Sequence, residues 1–537
     1  MRRASIVLLT LAALLPRERA NADPVRFEGR IVDAKTGAAL SARVSIQGER
    51  GAWHFVRSAN AAGAAVVYRK ERGESVEAHT TVSADPFVVE LEPGHYTIDI
   101  ERGKEYIALR DTFTLESAPL KKTFRLERWI DMAALGWFSG ETHVHRSLEE
   151  LPPLMLAEDL NVAFPLTSWV TEAFTPPSQG QRSPAPGGPA RLMQVDPTHV
   201  IWTANTEWEI FTVNKQPHTL GAIFAIGQKE PIELGAPPVR EIAARARRAG
   251  ALLELDKHNW PWSMMLVPVM QVDLFELANN HVWRTRFGFP QFGEAAADYM
   301  NVERDARGFT ERGWLMFGFQ NYYALLNCGF NIMPTAGTAS GVHPVPLGFG
   351  RVYVHLPQGF SYAAWLEGLA RGRSFVTTGP MLQATLEGRD PGHRFPQQGG
   401  RQTYTLAGAA AGARRVDRIE VLRDGEVIET IPGPKPEGFA PGQEHSFEVP
   451  IEIEESAWIA VRCFEPVEDG RLRFAHTAPF FVDVPGRPLR PRKVEVEYLL
   501  RRVEAQRARS RDVLPAEALE EYDQAAGVYR KLLARAR

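Results

Sequence analysis

Hydrophobic periodicity changes twice along this chain, and no other feature restricts its fold as strongly. Residues 25–127 alternate with period two: VRFEGRIV runs from Val25, a turn follows over Asp33–Gly37, Ala42–Ile46 alternates again, and PG at Pro93-Gly94 opens HYTIDI. Alternating strands broken by Gly and Pro predict a small β-sandwich. From 132 to 380, short apolar runs (Val162–Pro165, Gly221–Ile226, Ala251–Leu255, Val272–Leu277, Arg351–Leu356) alternate with helical stretches such as 238–250 and 362–370. That alternation predicts an α/β layer or barrel. Residues 381–488 return to strands, with Asp424-Gly425 as a hairpin turn, and 492–537 read as a charged helical tail split near Pro515. A chain of 537 residues exceeds what one core supports, so several domains are expected.

Residues 1–22 form a secretory signal pattern. Arg2 and Arg3 precede an apolar run to Leu15, and Ala20-Asn21-Ala22 supplies small residues for cleavage. The run is too short to span a bilayer, and no later segment is long and apolar enough, so an exported protein, periplasmic or extracellular, without an integral membrane segment is expected. The formal charge of −3, with acidic and basic residues intermixed, argues against a nucleic-acid partner. Cys328 and Cys463 fall in different predicted domains and read as two separate thiols rather than one interdomain disulfide, with no redox motif. The Pro/Gly-rich stretch 175–189 reads as a loop at the edge of the site. No phosphate-cradling glycine loop and no nucleophile elbow is present.

The chemistry gathers in the middle segment. SGETHVH places His143 and His145 two residues apart after a glycine read as a turn. On an extended backbone both imidazoles leave one face, where neutral nitrogens can share an ion. A pair of hydrogen-bonded histidines explains this motif alone equally well. Further polar residues follow predicted strands: Glu207 and Glu209 in NTEWE, His218, then Glu254, Asp256 and His258 in LELDKHNWP, Glu276 before LANNH, and His343 after a small-residue loop. In a strand–helix barrel such strand ends converge on one rim, which favours metal binding over scattered structural roles. Trp169, Trp202, Trp208, Trp260, Trp262 and Trp283 flank these segments, either as core filling or as walls for a flat or glycan-like substrate. Arg284, Arg286 and Arg351 are candidates to neutralise an anionic group.

On these motifs the middle segment resembles the PHP-type metal-dependent phosphoesterase superfamily, in particular its secreted CehA/McbA-like metallohydrolase branch, and residues 25–127 resemble the carboxypeptidase regulatory-like module. The resemblance implies a distorted (β/α)7 barrel flanked by two β-sandwich modules, with a metal centre at the strand ends. Gly140-Glu141-Thr142-His143-Val144-His145 matches the family's Gly-Asp-x-His-x-His with Glu141 in place of Asp, and Glu276-Leu277-Ala278-Asn279 matches its Glu-x-x-Asn. The implied ligands are His143, His145, a bridging Glu209 or Glu207, His218 and His258. Ser168, Trp169 and Ala339 stand where the family carries ligands, so one or two divalent ions (Zn, Mn or Fe) are expected rather than three.

The expected activity is hydrolysis of a phosphoester, amide or carbamate-type bond of a small molecule by metal-activated water, with Asp256 or His343 assisting proton transfer. Glu254 and Glu276 lie close by as ligands or paired carboxylates. The alternative is a ligand-depleted binding or scaffold protein without turnover.

Overall fold

The structure is a computed structural model that describes residues 23–180, 182, 189–291 and 293–537. The signal pattern of residues 1–22 and residues 181 and 183–188 of the Pro/Gly-rich loop lie outside the described residues.

Residues 25–126 form two packed sheets. One runs Leu120–Leu126, Val25–Asp33, Phe87–Leu91, Arg57–Ser58; the other runs Ala65–Arg72, Ser75–Val82, Ala42–Gly48, Gly94–Glu101, Leu109–Leu115. The alternating apolar positions face inward, where Phe27 stacks on Phe113 at 4.1 Å between ring centroids. Full burial of such a ring contributes about 1.5–3 kcal/mol. Ser75–Val82 departs from alternation because both of its faces are covered. Its outer residues meet the middle of the chain: Glu77 pairs with Arg284 at 2.9 Å, and Arg43 from the neighbouring strand reaches Glu158 at 2.5 Å.

The middle segment builds two mixed sheets. The first orders Ser168–Glu172, Thr206–Val213, Gln216–Ile226, Leu252–Leu255, Leu274–Ala278 and Met333–Ala336. Two of its three parallel pairs are bridged by the helices Ser263–Met270 and Glu311–Asn327, as parallel neighbours require a crossover. The second sheet centres on Trp137–Val144, parallel to Val162–Pro165 and antiparallel to Arg351–His355. The sheets meet where Leu166 N donates to Val144 O at 2.8 Å and Val144 bridges Ser340. With seven helices among the described residues, the chain is a strand-rich α/β protein.

The second sheet does not end where the sequence pattern changes at 381. Ser374–Thr377 pairs with Leu472–Thr477, and the sheet continues through Ala457–Pro466 and Arg418–Arg423 to Glu426–Pro432. A three-stranded sheet (Met381–Leu386, Gln402–Ala411, His445–Ile453) packs over it around Leu382, Leu406, Ile419 and Val461. Cys328 and Cys463 are both free and buried.

Gly140 lies inside Trp137–Val144 rather than in a turn. A Cβ there would sit 2.3 Å from the indole of Trp365, whose Nε1 donates to Phe138 O at 2.9 Å, so the glycine makes room for that ring. Trp365 belongs to helix Tyr362–Arg371, which Ser361 caps at the start and Gly372 ends at φ 74°.

Helices Lys493–Ser510 and Ala516–Leu533 run antiparallel, since Lys493 N bonds Arg537 O at 2.9 Å. They dock behind the first sheet. The buried Arg502 guanidinium donates to the carbonyls of His258 and Trp260, each at 2.9 Å, and Glu521 accepts from Val239 N and Arg240 N at the start of helix Arg240–Arg248. Among the described residues no helix is long and apolar enough to cross a membrane.

Candidate metal centre

All eight residues of Trp137–Val144 are buried, and His143 projects from its end into the space between the two sheets. His145 follows just beyond, its backbone N held by Ser340 O at 2.9 Å. The two Nε2 atoms stand 3.2 Å apart. Glu207, on Thr206–Val213, brings Oε2 to 3.3 Å from His145 Nε2, yet neither of its buried carboxylate oxygens has a hydrogen-bond partner. A tetrahedral ion with ligand bonds of about 2.0–2.1 Å separates its ligand atoms by roughly 3.3 Å. The observed separations therefore match the edges of such a site.

The opposite nitrogen of His143 is already committed. Nδ1 lies 2.9 Å from Glu276 Oε2, while Glu276 Oε1 accepts from Asn280 N at 2.8 Å. Burial, then the charges of Asp256 and Glu254, push the Glu276 carboxyl well above its ordinary range, and a bound cation would favour its ionised form; that form accepts from Nδ1–H and leaves the Nε2 lone pair facing His145 and Glu207, the usual arrangement behind a ligating histidine. Burial lowers the basicity of both imidazoles, that of His145 to about 3 with Lys257 contributing, so both remain neutral and able to ligate.

Beside these groups lies a second acidic set. Asp256 follows strand Leu252–Leu255; its Oδ2 pairs with Lys257 Nζ, and its Oδ1 sits 3.7 Å from His143 Nδ1. Lys257 Nζ also lies 3.0 Å from Glu209 Oε1, and the indole of Trp169 donates to Glu209 Oε2 at 3.1 Å. Three sets of donor atoms come within 4.8 Å of one another: His143, His145 and Glu207; His143, Asp256 and Glu276; and Glu207, Glu209 and Asp256. Burial, then the charge of Glu209, pushes the Glu207 carboxyl well above its ordinary range; burial lifts Asp256 to about 6 against the pull of Lys257. Burial alone would discharge Lys257, but Asp256, Glu209 and Glu207 together outweigh it and hold the ammonium protonated.

The other sequence candidates are dispersed. Glu254 lies nearby and accepts from the hydroxyls of Thr142 at 2.7 Å and Thr335 at 2.6 Å; burial pushes it up to about 8. His343 stands at the rim, with Nδ1 3.2 Å from Arg72 Nη1 and Nε2 3.5 Å from Asn280 Nδ2. His218 is not with the cluster: its Nε2 meets Ser510 Oγ of the tail at 3.1 Å. Glu207 is paired with Phe224, six positions along the strand from His218, or roughly 20 Å at strand rise. His258 is likewise apart, packed against Phe275, Trp314 and Phe317 with Nδ1 3.3 Å from Asn321. The strand ends at Leu255, so alternation no longer decides which neighbour faces the site, and Lys257 enters it instead.

Glu141 is in none of the three donor sets; it accepts from Thr338 N at 2.7 Å and from Gly348 N, pinning the loop that carries His343. Trp169 fills the place of an expected ligand, its ring 4.3 Å from that of His145. The arginines singled out by sequence are engaged elsewhere or lie exposed, Arg284 on Glu77 and Arg351 on the carbonyl of Glu158. Sequence reasoning missed Arg72 and Tyr68. Both come from strand Ala65–Arg72 of the first module: the Tyr68 hydroxyl donates to His343 O, and Arg72 lies over the rings of Trp283 and Phe289. Their only signal was one of strand parity, since both are even-numbered positions on one strand face.

No family model and no curated protein matches the chain. Among solved structures it is similar to a two-domain protein containing a predicted PHP-like metal-dependent phosphoesterase from Bacteroides vulgatus, at 8% identity and a TM-score of 0.28, covering 64% of this chain and 94% of that one. It is also similar to the CARDB domain of a Pyrococcus furiosus protein in complex with di-metal ions, at 15% identity and a TM-score of 0.13, covering 20% of this chain and 94% of the other. Neither likeness is close enough to bear on the chemistry.

Proposed function

We propose that the protein is an exported hydrolase that depends on one divalent ion held by His143, His145 and Glu207, and that it cleaves a phosphoester. The observation that carries this reading is a triangle of potential ligands: two buried Nε2 atoms 3.2 Å apart and a buried carboxyl with no hydrogen-bond partner. A buried carboxylate left unpaired is costly, and a cation is the simplest partner for it. When bound, such an ion lowers the pKa of a coordinated water and polarises the oxygen of a scissile ester.

The chain's own residues supply the rest. Ionised Glu276 fixes the His143 tautomer, and Asp256, whose Oδ1 lies 3.7 Å from His143 Nδ1, stands beside the cluster as a proton acceptor. Arg72 has no carboxylate partner among the described ion pairs and lies at the rim on His343, where a guanidinium suits a phosphoryl group better than an amide or carbamate. The signal pattern supports export. The meeting of the two middle sheets at Val144 and Leu166 supports reading them as a distorted PHP-like barrel, with the β modules and helical tail as its flanking domains.

One observation favours the alternative, a metal-binding protein without turnover. Trp169 packs on His145 and Lys257 occupies the adjoining carboxylates, so the open coordination position that catalysis needs is narrow. Metal analysis together with hydrolysis of p-nitrophenyl phosphate and p-nitrophenyl acetate separates the two. The enzyme reading expects bound metal and phosphatase turnover, both lost in His143→Ala and Glu207→Gln. Bound metal with no turnover on either ester would favour the alternative, and a chain that binds no divalent ion would end both.

A further inference from the structure

We propose that Lys257 is a resident cation standing where a second metal ion would otherwise bind, so that the native cluster accepts one divalent ion and its all-carboxylate half is a latent second site. The inference rests on the single-ion reading above and concerns how many ions the cluster can hold.

The three donor sets overlap, so they cannot be filled independently. The set of His143, Asp256 and Glu276 requires His143 Nδ1, which Glu276 already engages at 2.9 Å while Nε2 faces His145. A neutral imidazole offers one lone pair, so filling the first set empties this one. The remaining set, Glu207, Glu209 and Asp256, contains only carboxylates, the hard oxygen donors suited to Mn²⁺ or Mg²⁺.

Lys257 fills that set. Its Nζ pairs with Asp256 Oδ2 and stands 3.0 Å from Glu209 Oε1, with the side chain only 3% exposed. The ammonium also lies 5.0 Å from the centroid of the Trp260 ring, which helps fix its position. Trp169 satisfies the other oxygen of Glu209, so this carboxylate is fully engaged without an ion. Glu207 is different. It belongs to both the first and third sets, and both of its oxygens lack hydrogen bonds. The unmet demand for positive charge therefore lies on the imidazole side, and a divalent ion on the carboxylate side would have to displace or sit against an ammonium that cannot leave the chain.

The test is metal stoichiometry, measured on the full chain after chelator stripping, loading with Mn²⁺ or Zn²⁺, and dialysis. The wild type is expected to hold one ion, Lys257→Arg also one, and Lys257→Met two when loaded with Mn²⁺. A folded Lys257→Met chain that still holds one ion overturns the proposal, as does a wild type that holds two. Glu209→Gln in the otherwise native chain gives a second route if Lys257→Met does not fold. Because Glu209 serves the ammonium, its loss should change Mn²⁺ or Zn²⁺ affinity by less than the roughly tenfold that an orienting partner of a ligand commands, and a larger loss would make Glu209 a ligand and overturn the assignment. A wild type that holds no ion would sink the single-ion reading by itself; an ion gained by Lys257→Met would then still support the role of Lys257, and no gain would sink that role too.

Discussion

Replacing Glu276 by Gln changes one atom and tests the logic of the whole site. Both carboxylate oxygens are in use, Oε2 with His143 Nδ1 at 2.9 Å and Oε1 with Asn280 N at 2.8 Å. Glutamine keeps one acceptor and turns the other into a donor. If its oxygen stays on Asn280, its amide faces His143 Nδ1, and the imidazole must move its proton to Nε2, which removes the lone pair aimed at the ion. If its oxygen stays on His143, the Asn280 N–H meets another N–H in a dry site. Either outcome weakens the ligand indirectly, as loss of an orienting partner typically does, by about 10–100-fold in metal affinity or roughly 1.4–2.7 kcal/mol. The assay is competitive titration of Zn²⁺ and Mn²⁺ against a chromophoric chelator on stripped wild type and Glu276→Gln, with circular dichroism to establish folding. A change below about threefold would mean that Glu276 does not set the tautomer of His143, and a loss beyond about a thousandfold would mean that it is itself a ligand; either refutes the assignment.

Three further outcomes follow from other parts of the structure. Arg502→Ala strands the carbonyls of His258 and Trp260 beneath the tail helices, and unmet buried acceptors of this kind should lower stability by about 3 kcal/mol, read from denaturant midpoints. His476 is buried between Tyr323 Oη and Thr477 O, each at 2.7 Å, and burial holds its pKa down at about 3. The unfolded chain takes up that proton below pH 6.5 and the folded chain does not until about pH 3, so stability falls as pH falls through this window, by about 1.3 kcal/mol between about pH 5.5 and 4.5 from this residue alone; His476→Gln should remove that part of the slope in urea melts. Arg72→Gln should raise KM for an aryl phosphate about tenfold while leaving a neutral aryl ester unchanged, with stability shifted by less than about 0.5 kcal/mol because the residue is exposed.

Strand parity made part of the site legible. His143 and His145 share a face because an extended backbone alternates, and the same parity sends Glu207 and Glu209 to one side. Parity does not carry register between strands. Which of the two glutamates meets the imidazoles depends on how Thr206–Val213 lies against Trp137–Val144, and those segments belong to different sheets with no ladder between them. The same blindness made His218 look near, although the hairpin pairing sets it toward the turn, away from the residues opposite Glu207. Past Leu255 the strand has ended, and local pattern could not tell that Lys257 rather than His258 would turn inward.

The first module shows a deeper limit on reading function locally. By composition it is an ordinary sandwich, and nothing in its own periodicity distinguishes Tyr68 or Arg72 from any other strand residue. They matter because Ser75–Val82 is buried on both faces, which presses the hairpin of Ala65–Arg72 against the loop bearing His343. That loop is in turn fixed from within by Glu141, whose carboxyl accepts from Thr338 and Gly348. One acidic residue of the GETHVH motif thus holds the rim from inside the middle segment while a tyrosine more than two hundred residues away holds it from outside. Deleting the module should therefore loosen His343 and expose the imidazole cluster to water, whereas a merely appended sandwich would leave both untouched. Cysteine labelling at a Val342→Cys substitution, compared between the full chain and one lacking residues 25–127, reads the difference: equal labelling rates in a folded truncated chain would show that the module takes no part in shaping the rim.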